Sequence, residues 1–123
     1  MLNQIDRYRG RIIKYTGDGV LATFDGPARA IRCALEVGQD IHSLGIEIRS
    51  GLHTGEVEII GDDLGGFSVH TAARIMANAR ADEVWTSRTV RDLVAGSQFR
   101  FREQGTFQLR GIPGDWPLFV VEP

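Results

Sequence analysis

Apolar residues along the chain change their spacing several times, and each change marks an element. Leu2, Ile5 and Tyr8 recur three apart, one face of a short amphipathic helix that Gly10 ends. Residues 11–24 then form two β-rich runs on either side of Gly17-Asp18-Gly19, a strong hairpin signal because Asp-Gly fits a tight turn between strands. Pro27 suits the first turn of a helix whose stripe is Ala30, Ile31, Ala34, Leu35, Val37 and Ile41, ending before Gly45. Alternation over 46–52 predicts a strand, His53-Thr-Gly55 a turn, and 57–60 a second strand returning from it. Residues 61–66, with three glycines, read as a loop. Residues 67–79 read as a helix with Val69, Ala72, Ala73 and Met76 on its apolar side. A short buried strand at 84–86 follows, and Ser87 caps a helix through Val94. Runs at 99–102, 106–109 and 117–121 predict strands that close the sheet around the Gly111-Ile-Pro-Gly114 turn.

Composition narrows what such a chain can be. At 123 residues, 42% hydrophobic and 24% charged, residues 1–123 suit one globular domain with a single core. The net charge of −2 gives no overall basic field, so neither nucleic acid nor an anionic membrane is an expected partner. Cys33 has no second cysteine to pair with, and the expected compartment is cytoplasmic. No apolar run reaches the roughly 18 residues of a membrane span.

The polar residues that call for explanation are Lys14 and Asp18 on the hairpin, Asp63 in the glycine loop, and His70 and Arg74 on the helix after it. His70 and Arg74 are four apart and so project from one face, where they can hold one ligand between them. Lys14 and Asp18 lie about 13 Å apart if the chain between them is extended, which suggests different parts of a site or different sites. Trp85 and Trp116 read as packing residues, Arg7, Arg9 and Arg11 as a solvated face, and His53 as a structural turn residue. Neither His42 nor His53 has the companions of a transition-metal site.

Several segments, in order and spacing, resemble the class III adenylate/guanylate cyclase catalytic domain. Lys14-Tyr-Thr-Gly-Asp-Gly19 with Ala22-Thr-Phe24 is similar to the family's metal-binding hairpin, and Arg49-Ser-Gly-Leu-His-Thr-Gly55 to its strand and His-Gly turn. Asp63-Leu-Gly-Gly66 and Val69-His-Thr-Ala-Ala-Arg74 resemble its nucleotide loop and catalytic helix, and Leu109-Arg-Gly111 the segment that brings a basic group to the terminal phosphates. The resemblance implies an α/β fold, an α+β sandwich on a ferredoxin-like βαβ core with an extra C-terminal subdomain.

It also implies an adenylate cyclase, converting ATP to 3′,5′-cyclic AMP and pyrophosphate at the interface of a head-to-tail homodimer. Two Mg²⁺ or Mn²⁺ ions would sit on the triphosphate, with Asp18 as a metal ligand. Lys14 and Asp63 would bind the purine, an arrangement that suits the 6-amino group of adenine rather than the 6-oxo group of guanine. Arg74 would stabilise charge on the α-phosphoryl oxygens, Arg110 would meet the β- and γ-phosphates, and His70 would stand where many members orient the ribose with an Asn. Each shared site would take Asp18 from one protomer and Lys14, Asp63, His70 and Arg74 from the other. The family's opening strand and its second metal-binding aspartate have no counterpart ahead of Met1, so a truncated domain with little or no turnover of its own is expected. The alternative is a cyclase-like module that binds nucleotide or a partner without turnover. A diguanylate cyclase is disfavoured because the chain has no G-G-D-E-F-like hairpin.

Overall fold

Val84, Trp85, Thr86 and Ser87 are buried at four consecutive positions, which a strand allows only when both its faces are covered. That strand is central to the fold. The structure is a computed structural model that describes the backbone of residues 1–16, 19–61 and 63–123, and the side chains of these except at 16, 59, 60, 63 and 64. Its elements begin with helix α1 (Leu2–Arg7), the hairpin β1 (Arg11–Thr16) and β2 (Gly19–Thr23), helix α2 (Pro27–His42) and strand β3 (Ser50–Leu52). A ribbon of β4 (Glu58–Ile60) and β5 (Asp63–Gly65) leads into helix α3 (Phe67–Asn78), strand β6 (Val84–Ser87) and helix α4 (Arg88–Leu93). Strands β7 (Arg100–Phe107) and β8 (Trp116–Glu122) complete the chain.

The main sheet has the order β3-β6-β8-β7. β3 and β6 run parallel, joined by a crossover through α3, while β8 is antiparallel to both β6 and β7. Alternation sends Trp85, Leu118 and Val120 to one face, where they meet Ile75 of α3, Ala79 just past its end and, beyond the sheet, Leu109 and Ile112. Val84 and Val121 go to the other face and pack with Ile31 of α2 and with Val90 and Val94 at α4. Ser87 caps α4 by accepting a hydrogen bond from the Val90 N–H, as its sequence position predicts.

Gly51 in β3 is required by α3. A Cβ there would run into the backbone nitrogen of Met76 and, at 2.7 Å, the Ala72 carbonyl, so helix backbone rests directly on strand backbone. A third cluster lies outside the main sheet, where Ile5, Cys33 and Val37 gather Tyr8, Ile12, Val20, Phe24, Ile41 and Ile48. Burial raises the Cys33 thiol pKa there. Polar contacts join α1 to α2 along one edge: Tyr8 Oη donates to Glu36 Oε2 at 2.6 Å, Arg7 Nη1 lies 2.5 Å from Glu36 Oε1, and Gln4 bonds to Asp40.

The architecture is the mixed α/β fold expected, with four local differences, one being that the two runs expected at 99–102 and 106–109 form a single strand, Arg100–Phe107, with a register shift between Glu103 and Gly105. Of the strand expected over 46–52, only Ser50–Leu52 forms one; the Ile48 carbonyl accepts from the Asp82 N–H at 2.7 Å, and Ile46 is 57% exposed with no described strand beside it. Residues 58–60 do not return along β3 but pair with 63–65, inside the segment read as a loop. Gly61, at φ +60, sits in the tight connection between them. The buried side of α3 is also rotated from the expected stripe. Thr71 and Ile75 are fully buried, whereas Met76 is 40% exposed. Thr71 can go inward because its hydroxyl donates back to the Phe67 carbonyl at 2.7 Å, which satisfies its polar atom locally.

Candidate functional site

With Thr71 and Ile75 committed to the sheet, α3 presents His70 and Arg74 on the neighbouring face. His70 is exposed and Arg74 half-buried. The Arg74 carbonyl accepts from Asn78 Nδ2 at 3.0 Å, which steadies the last turn. Its Nε is buried with no hydrogen-bond partner among the described residues. A buried unpaired donor costs about 1–3 kcal/mol, a cost that an incoming acceptor would remove.

The connection between β7 and β8 closes on the same helix. Leu109 and Ile112 plug the core, and Ile112 N–H donates to the Leu109 carbonyl at 2.9 Å, leaving Arg110 and Gly111 exposed between these anchors. Gly111 has φ +79, and a Cβ there would stand 3.1 Å from His70 Nε2. The Arg110 turn and the His70 face of α3 are therefore in contact through Gly111. An open cleft of about 430 Å³ follows this turn, lined by Gln108, Leu109, Arg110, Ile112, Gly114 and Asp115. Gln108 and Asp115 are not evident as site candidates from the sequence, since nothing in their spacing separates them from ordinary turn residues.

His53, which the sequence marks as structural only, makes more contacts than a turn residue needs. Its Nδ1 lies 2.7 Å from Ser87 Oγ and its ring meets Trp116 edge-on, centroids 5.5 Å apart. Burial lowers its pKa from the ordinary histidine value and favours neutral imidazole. The His-Thr-Gly motif is the available signal, but the partners come from β6 and β8 and have no local trace in the sequence.

The remaining candidates sit on the two ribbons. Lys14 is exposed on β1, beside an irregularity in the register with β2. Asp63 opens β5, where its backbone pairs with Ile60, and β1 packs against β5. The elements carrying the two proposed purine contacts are thus adjacent; the Asp63 side chain lies outside the described atoms. Asp18 lies outside the described residues, between the paired Thr16 and Gly19. Among the described residues, no group of three or more His, Cys, Asp or Glu could hold a metal ion. No described helix is long and apolar enough to cross a membrane.

The chain is similar to known proteins in sequence and in fold. The chain is 31% identical over 125 residues to "Putative adenylate cyclase 3" of Rhizobium meliloti (strain 1021), covering 94% of this chain and 21% of that protein. It thus spans about a fifth of that relative's length. The crystal structure of an adenylate/guanylate cyclase/hydrolase from Silicibacter pomeroyi superposes with a TM-score of 0.89 at 28% identity, over 98% of this chain and 77% of the other. The guanylate cyclase domain of RhGC from Catenaria anguillulae, solved with GTP, shares the fold at a TM-score of 0.84 and 22% identity, over 98% and 76% of the two chains. Residues 4–123 match the family described as the adenylate and guanylate cyclase catalytic domain, and the chain belongs to that family.

Proposed function

We propose that residues 1–123 are a single, partial cyclase catalytic domain whose site takes ATP and yields 3′,5′-cyclic AMP and pyrophosphate, shared between two copies arranged head to tail. The observation that carries this reading is the unpartnered, buried Nε of Arg74, on a helix face that also presents His70 and abuts the Arg110 turn. Two guanidinium groups and an imidazole so placed suit a polyphosphate nucleotide. When O3′ bonds to the α-phosphorus and the bond to the bridging oxygen breaks, negative charge builds on the α-phosphoryl oxygens. A guanidinium fixed beforehand stabilises that charge without reorganising. In this reading Arg74 meets those oxygens, Arg110 receives the leaving pyrophosphate, and His70 orients the ribose through one ring N–H.

Adenine is the base that Lys14 and Asp63 favour. An ammonium donates to a ring acceptor and a carboxylate accepts from the 6-amino group, whereas guanine would set its 6-oxo oxygen against the carboxylate. The packing of β1 on β5 supports their joint use. Cyclases of this family use Mg²⁺ or Mn²⁺, and Asp18 is the residue proposed to contact it. The described side chains do not by themselves fit a pair of divalent ions, so the chemistry assigned to the chain is that of its own cations. The same observation favours a second reading, a module that binds nucleotide without turnover.

Binding and turnover measured separately decide between the two. ATP and GTP are offered with Mn²⁺ to the 123-residue chain, and to the same chain extended by the family's opening strand and aspartate. We expect ATP binding by both and cyclic AMP only from the extended form. Binding by both with no product from either supports the silent module. Full activity of the extended form after Arg74→Ala refutes the assignment of Arg74.

A further inference from the structure

We infer that His53 is a positioning residue that holds the triphosphate end of the site together, an inference that rests on the nucleotide reading above. Its hydrogen bonding can be assigned by counting. Ser87 is fully buried, and its Oγ already accepts from the Val90 N–H at 3.4 Å. A hydroxyl has one hydrogen to give. If Ser87 donates it to His53 Nδ1, 2.7 Å away, both groups are satisfied and the ring hydrogen sits on Nε2. The opposite tautomer would leave a buried hydroxyl hydrogen without an acceptor among the described residues, which is costly. His53 is therefore a neutral acceptor anchored to the cap of α4.

The ring's contact with Trp116 and its place in the chain two residues before Gly55 lead to both cationic walls of the proposed site. Its edge-on partner Trp116 donates from Nε1 to the Pro113 carbonyl at 3.0 Å, so Trp116 fastens the turn that presents Arg110. In the other direction, Gly55, two residues after His53, lies against Ser68 in the first turn of α3, so closely that a Cβ would collide with the serine hydroxyl. The same helix carries His70 in that first turn and Arg74 in the next. One imidazole thus sets the Arg110 turn and the start of α3 against a common reference, Ser87. None of these residues needs to touch nucleotide. Their effect falls on the spacing of cations that do.

The test uses the full chain as wild type, His53→Ala, His53→Asn and Trp116→Phe. Dissociation constants are measured for ATP, inorganic tripolyphosphate and adenosine, and amide resonances of residues 110–114 are followed by NMR. Asn can place an amide oxygen near the Nδ1 position and accept from Ser87. Trp116→Phe keeps a ring against His53 but loses the bond to Pro113. We expect His53→Ala to weaken ATP and tripolyphosphate on the order of tenfold, to leave adenosine unchanged and to shift the 110–114 resonances. His53→Asn restores both signals, and Trp116→Phe reproduces the loss for tripolyphosphate. If His53→Ala fails to fold, His53→Asn and Trp116→Phe carry the comparison alone. Equal tripolyphosphate affinity in all folded variants overturns the inference, as does a uniform weakening of all three ligands, which marks general structural damage. A wild-type chain that binds neither ATP nor tripolyphosphate overturns the nucleotide reading itself, and this inference with it.

Discussion

The two sides of the proposed site are held by different means. His70, Arg74 and Arg110 stand on α3 and on the β7–β8 connection, whose inward residues Ile75, Leu109 and Ile112 share a core with Trp85, Leu118 and Val120. Lys14 and Asp63 belong to two ribbons of two strands each, separate from the four-stranded sheet, and Asp18 falls in sequence between the strands of the first. A lone two-stranded ribbon is marginal in water. These are steadied by packing of Ile12, Val20 and Phe24 toward α2 and of β1 against β5. Stabilising charge in a transition state gains most from groups fixed in advance. Choosing between two bases is a difference between affinities, to which unfavourable contacts with the wrong base also contribute. In the proposed site, core-borne phosphate contacts and ribbon-borne base contacts would answer those two demands, with Asp18, the proposed metal contact, falling outside that division.

The largest expected effect breaks the core-borne side outright. Ile75→Ala removes a fully buried side chain and should cost about 2–5 kcal/mol in urea unfolding. Tyr15→Ala on the hairpin, where the ring is 64% exposed, should stay within about 0.5 kcal/mol. Comparable losses at the two positions would erase the contrast. Next comes Arg74→Met, which should lower turnover of the extended form on the order of 10²–10³-fold. Because it deletes a buried donor that has no partner among the described residues, folding stability should hold or rise by about 1 kcal/mol, read by thermal melting. A parallel fall in stability would mean that Arg74 serves the fold.

On the ribbon side, Lys14→Ala should leave stability within about 0.5 kcal/mol while reducing preference for ATP over GTP by about tenfold. Competition binding of the two nucleotides measures it, and an unchanged ratio removes Lys14 from base selection. The smallest effect concerns pH. The folded-state pKa of His53 is lowered by burial from 6.5, so the unfolded chain takes up its proton first as the solution is acidified. Its contribution is intact above about pH 6.5 and is lost as pH falls through the depressed folded-state value. His53→Phe should flatten that part of the stability profile, followed by urea midpoints at successive pH values.

Local signals carry well into the structure. The Pro27 start, the Ser87 cap and the turn at 111–114 each depend on one or two residues whose backbone preferences act at short range, and all three stand where the sequence places them. What is not legible depends on distant partners. Residues 46–49 alternate like a strand but meet the turn at Asp82 rather than a described strand, and β5 forms within a glycine-rich segment because β4 lies opposite it. The buried face of α3 differs from the apolar stripe because Thr71 counts as polar until its hydroxyl is seen to bond within its own helix. In the site, His70 and Arg74 can be grouped by their spacing. The contact of His70 with the Arg110 turn spans about 40 positions of sequence and is set by the order of strands in the sheet.

Gly51 has one more consequence. With no side chain between them, the strand and α3 mesh like a key in a keyway, and sliding the helix along its axis would drive carbonyls and amides into each other. In the proposed reading α3 would then serve as the fixed wall of the site, and whatever movement admits a nucleotide would fall to other elements or to the second copy.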